Sequence, residues 1–108
     1  MTVEKLAQCD GLRALVCPAP EREICGVYIG DLLSWVMGRA EADNAWITIM
    51  SNVNIIAVAA LTDTACIVLA EGVSLEPSVL EMAGAKGINV LQSDKPIYET
   101  ALLLHELC

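Results

Sequence analysis

Three short apolar runs set the rhythm of the second half of the chain. They are AWITIM (Ala45–Met50), ACIVLA (Ala65–Ala70) and GINVLQ (Gly87–Gln92). Each is rich in β-branched residues and each is followed by a stretch that can be helical, which suits strands covered on both faces. Leu12–Cys17 and Ile24–Ile29 read as two further strands, parted by a turn over Pro18–Glu23 with two prolines and three charges. Between the strands, Thr2–Cys9 reads as a short helix with Thr2 as its cap and Gly11 as its stop. Leu32–Met37 reads as a helix opened by Gly30-Asp31, with Asp31 expected to accept from the first-turn amides. Pro77 suits the first position of a helix running to Lys86, and a last helix runs from the Ser93–Pro96 turn to about Leu107. Asn52–Leu61 is apolar nearly all round, so its period separates helix from strand poorly; its alanines and the strand that follows favour helix, capped by Ser51 or Asn52.

The resulting order, α-β-β-α-β-α-β-α-β-α, points to a layered α/β domain. At 108 residues the chain is expected to be a single domain, 1–108. Hydrophobic residues make up 56% of it, yet Phe is absent and aromatics are only 4%. Packing must therefore rest on Ala, Val, Ile and Leu, which suits close helix-on-sheet contact. The apolar surplus has two compatible readings: a sheet buried on both sides, or surface buried on self-association.

Charge narrows the class of partner. Fourteen acidic and six basic residues leave a net charge of −8, and the basic ones are scattered (Lys5, Arg13, Arg22, Arg39, Lys86, Lys95). A phosphate-tracking surface needs them clustered, so nucleic acid and anionic membrane surfaces are disfavoured. The longest apolar run, Ile55–Leu61, is far short of the ~20 residues a membrane span needs, and the first residues carry Glu4 and Lys5 in place of a signal core. A cytoplasmic location is the expectation. The five cysteines (Cys9, Cys17, Cys25, Cys66, Cys108) form no Cys-x-x-Cys pair. Structural thiols are their ordinary reading, although the even spacing of Cys9, Cys17 and Cys25 leaves a redox or metal role to consider.

Candidate binding residues lie where strands end and helices begin, since open α/β sheets bind ligands there. Ser51, Asn52 and Asn54 bring a hydroxyl and two amides to the turn after Ala45–Met50. Asp31 and Gly72 stand at the neighbouring strand ends, in Gly30-Asp31 and Glu71–Ser74. Each has a plain alternative: helix capping for the polar residues, a loop turn for the glycine. Trp35 and Met37 are candidates for an interface, and a core position suits Trp35 equally. His105, the only histidine, has no partner nucleophile and reads as a surface residue. There is no Gly-x-x-x-x-Gly-Lys-Ser/Thr loop, no Gly-x-Gly-x-x-Gly and no Gly-x-Ser-x-Gly, so kinase, nucleotide hydrolase and serine hydrolase chemistry lack support.

The stretches GVYIGDLLSWVMGRA (Gly26–Ala40), AWITIMSNVNIIAVAAL (Ala45–Leu61), ACIVLAEGVSLEPSVLEMAGAKGINVL (Ala65–Leu91) and PIYETA (Pro96–Ala101) together resemble the DRTGG domain family. The Asp-Arg-Thr-Gly-Gly stretch that names the family would align with Ser51–Asn54, which here reads Ser-Asn-Val-Asn. The chain is thus similar to short stand-alone members. The resemblance implies a three-layer α/β/α domain with a mostly parallel central sheet, like the N-terminal domain of HPr kinase/phosphorylase. It also implies an accessory, dimerising or regulatory role without catalysis, cofactor or metal. The leading reading is a homodimeric, non-catalytic regulatory domain that binds a small ligand, such as a nucleotide or other phosphorylated metabolite, or a signalling partner. The alternatives are a pure interaction module and a redox or metal protein using its cysteines.

Overall fold

The structure, a computed structural model, describes residues 1–107. The elements follow the expected order: α1 (Val3–Ala7), β1 (Leu12–Val16), β2 (Val27–Ile29), α2 (Leu33–Arg39), β3 (Ala45–Thr48), α3 (Asn54–Thr62), β4 (Cys66–Leu69), α4 (Pro77–Ala85), β5 (Val90–Ser93) and α5 (Ile97–Leu107). The strands form one sheet in the order β1-β5-β4-β3-β2. All neighbouring pairs are parallel except β1, which runs antiparallel to β5 at one edge.

Alternation along the strands divides the core into two layers. Ala45, Ile47, Cys66, Val68 and Leu91 face Val3 and Leu6 of α1 and Leu104 of α5. Trp46, Ile67, Leu69 and Val90 face Val36 of α2, Ile55 and Ala59 of α3 and Ala83 of α4. Every residue of β3, β4 and β5 is buried, as sheet strands with helices on both faces must be. The fold is a mostly parallel, three-layer α/β/α sandwich, the layered α/β domain that the element order points to and the architecture that the family resemblance implies.

Polar groups inside are paired. The indole Nε1–H of fully buried Trp46 donates to the Gly30 carbonyl at 2.9 Å. Asn89 donates to the carbonyls of Ala19 and Ala65 and accepts the Ala19 amide, tying the Pro18–Glu23 turn to the sheet. The hydroxyls of Ser93 and Thr100, both fully buried, meet at 2.8 Å and lock α5 onto β5.

The strand expected over Ile24–Ile29 begins only at Val27. Gly26 lies at φ +82, and a Cβ there would sit 2.9 Å from the Asn44 side chain, so the extended run is interrupted at Gly26 even though Cys25 and Gly26 already bond to Asp43 and Ala45. At the same end of the sheet, Arg22 clamps two loops. Its Nη2 stands 2.9 Å from carboxylate oxygens of both Asp43 and Asp63, which hold left-handed backbones at φ 67 and 57. Partial burial acts to lower the Arg22 pKa, but the two carboxylates outweigh it and raise it above the ordinary value. Arg22→Ala leaves two acids facing each other without their cation. The expected loss is about 1–2 kcal/mol in urea denaturation, with more of the variant's stability recovered at high salt than of the wild type's.

Candidate functional site

The carboxyl ends of the parallel strands all open at one end of the sheet, where the amino ends of α3 and α4 arrive side by side. Between the β3–α3 and β4–α4 connections lies a pocket of about 340 Å³ lined by Ser51, Asn52, Val53, Ser74, Glu76 and Val79. Ser51, Asn52 and Val53 come from the first connection, Ser74 and Glu76 from the second, and Val79 from the first turn of α4. The local chain explains the shape. Asn52 Oδ1 accepts the Asn54 amide at 2.9 Å, and the carbonyls of Asn52 and Val53 accept those of Ile55 and Ile56, so the first turn of α3 is closed from within. Among the described residues, the amides of Ser51, Asn52 and Val53 are left with no protein acceptor. Successive backbone N–H groups of this kind form a concave donor surface for an anionic group. Opposite them, Pro77 starts α4 at a position that needs no amide, and the Glu76 carbonyl takes those of Val79 and Leu80.

Of the residues expected at the site, Ser51 and Asn52 line this pocket. Asn54 is exposed on the first turn of α3 and is not part of the lining. Asp31 is engaged elsewhere than expected. It does not cap α2, whose cap residue, Leu32, makes no side-chain cap bond. Instead Asp31 Oδ1 accepts the Thr48 hydroxyl at 2.7 Å and the Ile49 amide at 3.0 Å, latching the end of β2 to the end of β3. Thr48 is buried in β3 and has its hydroxyl within reach, so the carboxylate completes the sheet and leaves the helix start uncapped.

Gly72 takes the left-handed conformation at φ +70, and open space surrounds the place of its missing Cβ. Its amide donates to Ser93 and its carbonyl accepts from Gln92, so the Glu71-Gly72 turn is tied to β5, and Gly72 is not part of the pocket lining. The Glu71 carboxylate accepts the Ile97 amide at 3.1 Å and so caps α5.

Val53 and Ser74 lie within the turns expected at the strand ends but were not expected as binding residues, and Glu76 and Val79 lie outside those turns. The signal for Glu76 was Pro77: a proline at the first helical position places the residue just before it at a helix mouth. Trp35 and Met37 are exposed at 53% and 46%, with the Arg39 guanidinium stacked 3.9 Å from the Trp35 ring centre. His105 is exposed on α5.

Among the described residues, no group of three or more His, Cys, Asp or Glu side chains is placed to hold a metal ion. Burial, with smaller contributions from Glu4 and Glu21, pushes the Cys17 thiol up and away from its reactive thiolate form. No helix among these residues is long and apolar enough to cross a membrane.

Comparison with known proteins adds the following. The family model described as the DRTGG domain matches residues 22–107. No curated protein matches the chain. Among solved structures, the fold is similar to the crystal structure of the CBS and DRTGG domains of the regulatory region of Clostridium perfringens pyrophosphatase, complexed with its activator diadenosine tetraphosphate. The TM-score is 0.74 at 11% identity, over 94% of this chain and 45% of that one. This protein therefore spans less than half of the structure it matches.

The Asp31 latch predicts a stability effect. Asp31→Ala leaves the Thr48 hydroxyl and Ile49 amide without their acceptor and is expected to cost about 1–3 kcal/mol by chemical denaturation, whereas Asn54→Ala stays within about 0.5 kcal/mol.

Proposed function

The chain belongs to the DRTGG domain family, and we propose that it is a non-catalytic, self-associating regulatory domain that takes a small phosphorylated ligand at the sheet's carboxyl end. The observation that carries this reading is the pocket between the β3–α3 and β4–α4 connections, with the uncommitted amides of Ser51, Asn52 and Val53 on its wall. An anionic group gains there from backbone donors and from the amino ends of α3 and α4. The hydroxyls of Ser51 and Ser74 add donors from either side.

Glu76 shapes the choice of ligand. Its carboxylate repels a bare anion, yet it accepts hydrogen bonds from hydroxyl or amino groups. A ligand that carries phosphate at one end and a ribose or amino group at the other satisfies both walls, which favours a nucleotide over inorganic phosphate. The similar pyrophosphatase regulatory region is known in complex with an activator of that class, diadenosine tetraphosphate. Asp31, Asn54 and Gly72 belong to this proposal as neighbours that hold the turns in place. The reading sets the domain in the cytoplasm, where the free thiols of Cys9, Cys17 and Cys25 suit a reducing milieu.

A second reading, an interaction module without a ligand, draws on the exposure of Trp35 and Met37 on α2. Partner binding that survives Ser51→Ala with Ser74→Ala but is lost with Trp35→Ala selects it.

Isothermal titration against adenine and guanine nucleotides, dinucleoside polyphosphates and inorganic phosphate tests the leading reading. Saturable binding of a nucleotide is expected, with none for inorganic phosphate. Ser51→Ala with Ser74→Ala is expected to weaken it about tenfold or more, since each hydrogen bond to a charged group is worth about 1.5–3 kcal/mol. Absence of heat and of thermal shift with every ligand in the panel would remove the small-ligand function.

A further inference from the structure

The two edges of the sheet are built differently. The β1 edge is interrupted by a bulge between Ala14 and Val16 and carries Arg13, paired to Asp94 at 3.2 Å. Bulges and charges are the devices by which natural edges avoid pairing with another chain. The β2 edge has neither. Its three residues, Val27, Tyr28 and Ile29, are uncharged and lie in unbroken parallel register with Ala45, Trp46 and Ile47. The bonded stretch is longer than the strand, reaching from the Cys25 amide on the Asp43 carbonyl to the Gly30 amide on the Ile47 carbonyl.

That register fixes the direction of each backbone group. Gly26 and Gly30 bond toward β3, so Tyr28 does too, and Val27 and Ile29 turn their N–H and C=O groups outward, where the sheet has no further strand. Beside this edge lies an apolar groove of about 490 Å³ between β2 and α5, lined in part by Val27, Ile29, Tyr98, Ala101 and Leu102. Ile29, Tyr98 and Leu102 are exposed at 48%, 69% and 43%. His105 is the one basic side chain in the lining, which contains no carboxylate.

We propose that this edge is where two copies of the chain meet, pairing their β2 strands antiparallel about a two-fold axis at Tyr28. The proposal rests on the self-associating reading above and specifies its surface. The occupant follows from symmetry. With Tyr28 opposite its own copy, Val27 of each chain faces Ile29 of the other, and these are the residues with outward N–H and C=O groups. Each such pair exchanges both hydrogen bonds, and the sheet continues across the axis. The same operation turns Ile29, Tyr98 and Leu102 of each copy toward those of its partner. A chain of net charge −8 resists self-association on most of its surface, and this carboxylate-free groove spares it that repulsion at the centre of the contact.

Sedimentation equilibrium of the full chain in the micromolar range, with hydrogen exchange read at low and high concentration, tests the assignment. A dimer is expected, with the Val27 and Ile29 amides slowing as it forms. Ile29→Pro removes an outward donor, and Tyr98→Arg places like charges across the axis; each is expected to give monomer. Circular dichroism checks that Ile29→Pro still folds, and Tyr98→Arg, an exposed substitution, carries the test if it does not. A wild-type chain that stays monomeric, its groove left to an apolar ligand or a peptide, overturns both this assignment and the self-associating reading. A dimer lost with Trp35→Ala but retained with Tyr98→Arg, or one whose Val27 and Ile29 amides exchange at the monomer rate, overturns the edge assignment alone. Nucleotide titration reports separately on the ligand pocket.

Discussion

The parallel pairing of β3 with β4 is the constraint from which the other features follow. Ala45–Thr48 and Cys66–Leu69 are buried on both faces along their whole length, so neither strand has a side that water can share. A parallel pair cannot be closed by a tight turn, and the chain must cross over the sheet between its strands. The crossing element here is α3, whose Ile55, Ile56, Val58 and Ala59 pack on Trp46 and Ile67. The same necessity repeats with α4 between β4 and β5. Two crossovers of one hand bring both helix starts to one end of the sheet, and the pocket lined by Ser51 and Ser74 is the gap they leave. The location of the pocket is thus a property of the backbone. The side chains decide only what it accepts.

Those side chains divide into groups that hold the strand ends and groups left over. Asp31, Thr48, Asn52, Glu71 and Gln92 all spend their polar atoms on backbone or on one another. They convert loops with left-handed residues, such as Glu71 and Gly72, into defined turns. What remains at the β3–α3 turn is a run of backbone amides and a serine hydroxyl, flanked by these bonded groups. Donors already ordered by the fold lose less freedom on binding than donors that must first be ordered.

Much of the scaffold was legible in the chain because its signals were strong and local. Buried β-branched runs, the Thr2 cap, Pro77 and Gly87 each act within a few residues, and the elements they imply occur in the expected order. The less legible features depend on contacts across the sequence. The start of β2 depends on Asn44 lying against Gly26, some eighteen residues away. Asp31 looked like a helix cap because Leu33–Arg39 follows it, but the Thr48 hydroxyl on the adjacent strand offered its carboxylate a buried partner. The antiparallel placement of β1 depends on which strand flanks β5, and Leu12–Val16 alone carries no mark of it. For the site, Ser51 and Asn52 were visible as a polar turn after a strand, whereas Glu76 and Val79 join them only through the side-by-side arrival of α3 and α4.

The two surfaces singled out here lie on one continuous structural path. Asp31 connects them: it directly follows the end of β2 at the open edge, and its carboxylate holds Thr48 and Ile49 just before the Ser51 turn. Were β2 to pair with a second strand, a shift of β2 would bear on that hydrogen bond, because Thr48 is buried and Ile49 follows the end of β3. Conversely, a ligand held by the Ser51, Asn52 and Val53 amides would steady the end of β3 against which β2 is registered. Ligand and self-association would then favour each other to the same degree, since coupling between two binding equilibria is reciprocal. A small domain can report a metabolite in this way, through the stability of one strand pairing. That arrangement asks nothing of the chain beyond a rigid sheet, an open edge and a turn with amides to spare.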